Sequence, residues 1–129
     1  MKIYSYAYSG HYDPAAPAVE IEVRGPGLNG QVMRLTALID SGADDTMLPI
    51  QVLRAVGAKH VETRYIRGVT GARQLAETYL AVIQIGPHSV PTTKAIALTR
   101  AEGVILGRDV LNHLVVTLDG PAQVVEITE

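Results

Sequence analysis

The chain has 129 residues, enough for one domain with its own hydrophobic core and too few for two. Hydrophobic residues make up 47% of it, yet it contains no Phe and no Trp, so the core must be built from Val, Ile, Leu and Ala, which favours β-structure. The formal net charge of -2 gives no reason to expect nucleic acid or a membrane surface as a partner, and the absence of cysteine excludes disulfides, thiolate metal sites and a cysteine nucleophile.

The cellular location that these features favour is the cytoplasm. The first eight residues alternate in character instead of forming the apolar core of a signal peptide, and no run approaches the roughly 20 apolar residues that span a bilayer. A chain without cysteine also fits a reducing compartment.

The first third of the chain predicts three strands. Residues 2–8 alternate with the period of a strand, and residues 9–17 form a loop rich in Gly and Pro. Residues 19–24 alternate strictly between apolar and charged side chains, which is typical of a half-buried strand. After a turn at residues 25–30, residues 31–39 return as a strand that becomes fully apolar towards its end.

The middle of the chain predicts a short helix and a hairpin. Apolar residues recur at helical spacing in residues 49–57, where Pro49 can occupy the first turn and Gly57 ends the segment. Residues 61–67 and 73–85 then read as two strands joined by a flexible tip at residues 68–71.

The last third predicts short strands at residues 94–99 and 103–106, a short helical segment at 108–114, and a closing hairpin from 115–118 and 123–127. Together these elements predict one all-β domain over residues 1–129, with many short strands in a closed, barrel-like sheet and one or two short helices.

One acid stands in an unusual position at the end of an apolar strand. Residues 37–39 are Ala-Leu-Ile, and Asp40-Ser41-Gly42 follows directly. Placing a carboxylate in a buried position costs several kcal/mol unless it has partners, so this acid requires an explanation. A simple turn is one explanation, because Asp, Ser and Gly are common turn residues. A functional explanation is favoured by a second apolar run that is followed by glycine and arginine, Val104-Ile105-Leu106-Gly107-Arg108.

These two motifs, in this order, resemble the signatures of the retroviral-type aspartic peptidases, the retropepsins. The first signature is an apolar pair followed by Asp-(Thr/Ser)-Gly-Ala and acids, and the second is a late apolar pair followed by Gly-Arg before a short helix. The resemblance covers roughly residues 18–128 and implies a retropepsin-like closed β-barrel, the half of an acid protease that is active as a two-fold dimer.

The activity that this resemblance implies is peptide hydrolysis by a water molecule activated between two aspartates. Asp119-Gly120 lacks the hydroxyl residue of the motif, so the chain contains only one Asp-(Ser/Thr)-Gly. The second carboxylate must then be Asp40 of another copy, which implies a homodimer with a peptide or protein substrate. No cofactor is expected.

The resemblance also assigns roles to particular residues. Asp40, Ser41 and Gly42 would form the catalytic loop, in which the Ser41 hydroxyl bonds across the dimer and Gly42 offers its backbone to the substrate. The hairpin tip would be the flap that closes over a peptide. The substrate-binding positions would be Ala43, Asp44, Asp45, Gly68, Val69, Thr70, Gly71 and Ile105. We further expect Arg108 to support the loop by forming a partly buried pair with Asp44.

Other interpretations of these residues are weaker. Asp40, Asp44 and Asp45 do not follow the calcium-loop pattern, because glycine stands at the second ligand position and Gln51 at the closing one, so no metal site is expected. Arg67 and Arg73 beside the flap could favour acidic substrates, although solvated hairpin charges are more common.

Two hypotheses on function remain open. The first is an aspartic endopeptidase, and the second is a non-catalytic, dimerising or peptide-binding module of the same fold. The chain departs from the smallest viral enzymes in the helix at 49–57, in a tip with fewer glycines and in a longer segment before the first motif. The resemblance implies that the amino-terminal extension and the closing hairpin form the dimer sheet, because members of the family interleave their termini there. The alternative is that these two segments only cap the core.

Overall fold

The computed structural model describes residues 2–27, 30–67, 70–100 and 103–128. In this part of the chain, strands predominate and the two helices are short. The elements are β1 (Ile3–Ala7), β2 (Ala18–Arg24), β3 (Met33–Ile39), β4 (Met47–Pro49), α1 (Ile50–Ala55), β5 (Lys59–Arg67), β6 (Arg73–Ile85), β7 (His88–Leu98), β8 (Ile105–Leu106), α2 (Arg108–Leu111), β9 (Val115–Asp119) and β10 (Val124–Thr128).

The larger sheet closes into a barrel. Its strand order is β2-β3-β8-β4-β7-β6-β5, and an additional antiparallel pairing joins β2 to β6. The ring therefore runs through every strand of this sheet except β5, which extends β6 as a long hairpin outside the ring. Two of its junctions, β3 with β8 and β4 with β7, are parallel. The predicted closed all-β fold is confirmed.

The barrel core is aliphatic, as the composition requires. The alternation in β2 buries Val19, Ile21 and Val23 at 1% exposure or less, and the acidic side chains between them point away from the core. Ile83 and Ile85 from β6 join them without measurable exposure. Since full burial of one such side chain contributes about 1.5 to 3 kcal/mol, this alternation is sufficient to fix which face of each strand turns inward.

The helix α1 packs against the barrel core. Its apolar spacing places Val52 and Leu53 in the core, and the chain leaves the helix at Gly57, whose φ of +71° favours glycine. The predicted helix is thus confirmed, with bounds slightly inside the predicted ones. None of the described helices has the length and apolar character that crossing a membrane would need.

A second, three-stranded antiparallel sheet has the order β1-β10-β9. Val125 and Ile127 on its central strand are fully buried against the core, and Tyr4 and Tyr6 on β1 lie opposite them in register. The alternating tyrosines of β1 therefore serve in packing this sheet onto the barrel.

Candidate active site

Asp40 lies at the end of a parallel strand pair. Leu38 and Ile39 of β3 pair with Ile105 and Leu106 of β8, and the Asp40 amide continues this ladder by donating to the Leu106 carbonyl at 3.1 Å. The two sequence motifs are therefore neighbours in the fold. Asp40 is held by the barrel on its strand side, while the loop after it leaves the sheet.

The loop that follows binds the Asp40 carboxylate. The Gly42 amide donates to Asp40 Oδ1 at 3.0 Å, and the Ala43 amide donates to the Asp40 carbonyl at 3.1 Å. A Cβ on Gly42 would lie 3.2 Å from Oδ1, so glycine gives the amide room to approach the carboxylate. Asp40 itself is half-buried, and Ser41 and Gly42 are exposed. The hydrogen bond expected of the Ser41 hydroxyl across a dimer stays a prediction.

Arg108 fastens this loop to α2. Its Nη1 donates to the Ser41 carbonyl at 2.7 Å, its backbone amide donates to the Ala43 carbonyl at 2.9 Å, and its Nη2 pairs with Asp44 Oδ1. The expected Arg108–Asp44 pair is therefore present. The expectation that it is partly buried was wrong, because the Asp44 side chain is 80% exposed and that of Arg108 42%. Arg108 lies at the start of a short helix and Asp44 lies in the loop after Asp40, and water reaches both groups.

We expect Arg108→Ala to lower the free energy of unfolding by about 1 to 2 kcal/mol. An exposed ion pair contributes at most about 1 kcal/mol, and the remainder is the charge-assisted hydrogen bond to the Ser41 carbonyl. Urea unfolding would measure the loss. Arg108→Lys keeps the charge but not the planar guanidinium group, so its free energy of unfolding should lie between those of the wild type and of Arg108→Ala. A loss of about 3 to 5 kcal/mol would instead indicate a pair that is buried in solution.

Asp109, the residue after Arg108, organises a buried network. Its Oδ1 accepts from the Thr46 amide at 2.9 Å and from the Thr46 hydroxyl at 2.8 Å, and its Oδ2 accepts from the Thr92 hydroxyl at 2.6 Å. Thr46 Oγ1 in turn accepts from the Gly107 amide at 3.1 Å. Thr46 and Thr92 are buried, so one carboxylate joins α2 to the start of β4 and to β7. Sequence reasoning missed this residue.

Gly107 is required by the close approach of two backbone segments. A Cβ at this position would lie 2.5 Å from the carbonyl carbon of Asp45, a contact that only movement of the backbone could relieve. The glycine of the second motif therefore lets the loop after Asp40 pack directly on the start of α2.

Asp45 differs from the exposed Asp44 beside it. It is only 9% exposed, and its Oδ2 pairs with Nη2 of Arg64 on β5. Arg64 is the second residue that sequence reasoning missed. It links the β5–β6 hairpin, which carries the predicted flap and is called the flap hairpin below, to the loop that carries Asp40. Asp45 was predicted to bind substrate, and its carboxylate is already paired with a cation. The substrate-binding role stays a prediction.

The flap hairpin has two different faces. Arg64 stands opposite buried Ala76, and Ile66 stands opposite Gln74 on the same side. The other side carries Tyr65 opposite Leu75, both more than half exposed, and the guanidinium of Arg73 lies 4.4 Å from the Tyr65 ring centre. The first side thus carries the Arg64 contact to Asp45, and the second side is the more exposed one.

The predicted tip is described only in part. Gly68 and Val69 lie outside the described residues. Thr70 and Gly71 are exposed, and Gly71 has a φ of +80°, as expected where the hairpin reverses. Ile105, also predicted to contact substrate, is half-buried on β8 and pairs with Met47 as well as with Leu38.

A polar cleft of about 440 Å³ lies beside the loop. Its walls are charged or polar throughout and consist of Asp44, Asp45, Arg64, Lys94, Arg108, Asp109 and Asn112. Three carboxylates and three cationic groups balance in formal charge. Within the described ranges, no group of three acidic or histidine side chains lies close enough together to hold a metal ion.

The fold and the two motifs define the class of protein. Residues 27–113 match the family described as "gag-polyprotein putative aspartyl protease", and since the match spans more than half of the chain, the protein belongs to this family. Comparison with curated proteins finds no match.

Two solved structures share the fold. A retropepsin-like aspartic protease from Rickettsia conorii superposes with a TM-score of 0.64 at 14% identity, covering 98% of this chain and 90% of that one. The EIAV protease in complex with the inhibitor HBY-793 superposes with a TM-score of 0.58 at 19% identity, covering 84% of this chain and 93% of that one. The retropepsin-like fold is thereby established for this chain.

Proposed function

We propose that the protein is an aspartic endopeptidase that is active as a homodimer, with Asp40 from each copy forming the catalytic pair. The observation that carries this proposal is the position of Asp40. It lies at the end of the β3–β8 ladder, its carboxylate is oriented by the Gly42 amide, and Arg108 holds the loop by donating to the Ser41 carbonyl.

The dimer follows from the number of carboxylates that the chemistry needs. Asp119, the other aspartate that precedes a glycine, accepts a hydrogen bond from the Ala122 amide at 3.0 Å and so serves the β9–β10 turn. Asp44 and Asp45 are each paired with an arginine. Asp40 therefore needs a second copy to supply the other half of the pair.

In the proposed reaction, one Asp40 carboxylate accepts a proton from the attacking water, and the other, protonated, donates a hydrogen bond to the scissile carbonyl. The water oxygen adds to the carbonyl carbon and a tetrahedral intermediate forms. The carboxyl group that took the proton from the water then passes it to the amide nitrogen, and rupture of the C–N bond releases an amine and a carboxylic acid. The Gly42 amide holds each aspartate in the orientation that these transfers require.

An extended peptide is the substrate class that the site favours. Arg64 on β5 pairs with Asp45 in the loop after Asp40, so the hairpin is linked to the loop that carries the carboxylate, and a closing flap would exclude water from the reacting groups. The solved EIAV protease carries an inhibitor, which agrees with a peptide-like ligand in this fold.

The test is cleavage of a diverse peptide pool by the purified protein, read by mass spectrometry from acid to neutral pH. A statine-type compound, whose hydroxyl takes the position of the attacking water, should inhibit that cleavage. Binding of peptides without turnover at any pH would contradict the proposal and favour the alternative, a peptide-binding module of the same fold.

Activity should fall faster than linearly when the protein is diluted below its dimer dissociation constant, because each monomer holds half of the catalytic pair. Progress curves over a dilution series, with sedimentation at the same concentrations, would measure this. A monomer that keeps full specific activity would rule out the shared pair.

A further inference from the structure

The strand β7 contains a β-bulge where it borders the polar cleft. Between the pairs Thr92–Ala81 and Ala95–Tyr79, β7 has two residues and β6 has one, and Lys94 is the second of the two. In a regular strand, Lys94 would share the face of Thr92, which is buried. Its side chain is instead exposed and lines the cleft. Bulges commonly redirect a side chain in this way beside active sites, so Lys94 is a candidate for contact with a ligand.

The backbone of Lys94 is tied to the buried Asp109 network. Its amide donates to Thr92 Oγ1 at 3.1 Å, and the Thr92 hydroxyl donates to Asp109 Oδ2 at 2.6 Å. The same network that joins α2 to β4 and β7 therefore also holds the bulge. The ammonium group of Lys94 stands at the end of an exposed side chain whose backbone is fixed.

The carboxylates of the cleft already have partners. Asp44 is paired with Arg108, and Asp45 is paired with Arg64. Both oxygens of Asp109 accept hydrogen bonds from uncharged donors. A cationic side chain of a ligand would therefore have to displace Arg64 or Arg108 before it could bind a carboxylate in this cleft.

The cationic groups of the cleft, in contrast, have unused hydrogen-bond donors. Within the described ranges, the ammonium group of Lys94 forms no ion pair. Arg64 uses Nη2 for Asp45, while its Nε has no acceptor among the same residues. An ammonium group has three donors and no acceptor, so the ligand that complements this part of the cleft is an anion with oxygen acceptors, such as a carboxylate.

The cleft lies within reach of a peptide bound at Asp40. Asp44 forms part of the cleft wall and follows Asp40 by four residues. Since an extended chain covers at most about 3.6 Å per residue, the Cα atoms of the two aspartates are at most roughly 14 Å apart. An extended substrate covers that distance with about four residues on one side of the scissile bond.

We propose that Lys94 determines specificity by binding the side-chain carboxylate of a Glu or Asp that lies within about four residues of the scissile bond. This inference rests on the proposed function, because the Asp40 site is what brings a peptide to the cleft. An exposed ion pair is weak, so the preference is moderate and glutamine at the same position is still accepted. The preference should also weaken as the salt concentration rises.

Paired peptides test this preference. A peptide that the protein binds is synthesised with Glu or with Gln at each position in turn, and both ends are blocked so that the side chain carries the only varied carboxylate. The dissociation constant is measured with the Asp40→Asn protein by fluorescence anisotropy, and kcat/KM is measured with the wild type. At one or more positions near the cleavage site, we expect Glu to be preferred over Gln by roughly two- to fivefold.

Variants of the lysine identify the group that reads the carboxylate. Lys94→Gln should abolish the preference for Glu over Gln, and Lys94→Glu should reverse it, because the new carboxylate repels that of the peptide. Lys59→Gln is the matched control, since Lys59 is an exposed lysine on β5 that does not line the cleft. This control should keep the preference of the wild type.

The outcomes separate this inference from the proposed activity. Peptides that are cleaved equally well with Glu and Gln at every position, or a preference that survives in Lys94→Gln, would overturn the role of Lys94 and leave the activity in place. A preference that appears only when the peptide has a free terminal carboxylate would also overturn it. A preference that depends on Lys94, in a protein that binds peptides and never cleaves them, would support the role of Lys94 and contradict the activity.

Discussion

Asp40→Asn is expected to abolish peptide hydrolysis and to leave the fold and the dimer in place. Asparagine has nearly the same shape, and its amide oxygen can still accept the hydrogen bond from the Gly42 amide. It cannot take a proton from water, however, and general base catalysis alone is worth roughly a hundredfold to ten-thousandfold. We therefore expect kcat/KM to fall by about a thousandfold or more.

The same substitution should not lower stability. In the proposed dimer it would relieve the like-charge repulsion that makes the two carboxyl groups share one proton, so the melting temperature should stay the same or rise slightly. Asp13→Asn is the matched control, because Asp13 is an exposed aspartate in the loop between β1 and β2. Hydrolysis that survives in a clean Asp40→Asn preparation would remove Asp40 from the proposed chemistry.

The proximity of the two motifs was predictable only through the family resemblance. Nothing local in residues 37–42 indicates a parallel pairing with residues more than sixty positions later. The β3–β8 ladder that joins them is two residue pairs long, too short to leave a periodic pattern. The closed barrel itself was easier to predict, because strands with clear alternation, such as β2 and β6, recur along the chain.

The strands β4 and β7 show where local patterns fail. No strand was predicted at residues 47–49, because a strand this short is defined only by its parallel partner, Ile96 to Leu98 of β7. Strand β7 was predicted at residues 94–99 but begins at His88, despite Pro91. At Pro91 this strand pairs with Val82 of β6, while its pairing with β4 begins only at Ile96. A proline is tolerated there because that stretch is an edge.

Two supporting residues of the site, Arg64 and Asp109, left no readable signal in the sequence. Arg64 reads as one of several solvated charges on a hairpin, although its partner Asp45 is almost buried. For Arg108 and Asp44 the pairing was predictable, whereas the degree of burial was not. Exposure depends on what packs around a pair, and that is a property of the whole fold.

The second large effect is expected for Asp109→Ala. This carboxylate accepts three hydrogen bonds, from the amide and hydroxyl of Thr46 and from the hydroxyl of Thr92, and both threonines are buried. Truncation would leave these donors without their acceptor in a place that water reaches poorly, at a cost of roughly 3 to 5 kcal/mol. For a domain of this size the melting temperature should fall by roughly 10 °C or more.

Two milder variants make the Asp109 prediction testable even if the alanine variant does not fold. Asp109→Asn keeps one carbonyl oxygen for Thr46, and Thr92→Val removes a single donor, so each should cost clearly less than Asp109→Ala in urea unfolding. Because the network joins α2 to the start of β4, the loop that carries Asp40 should loosen in the same order, and kcat/KM should fall with it. An Asp109→Ala protein with unchanged unfolding would show that the threonines satisfy their hydrogen bonds elsewhere and that this carboxylate does not organise the site.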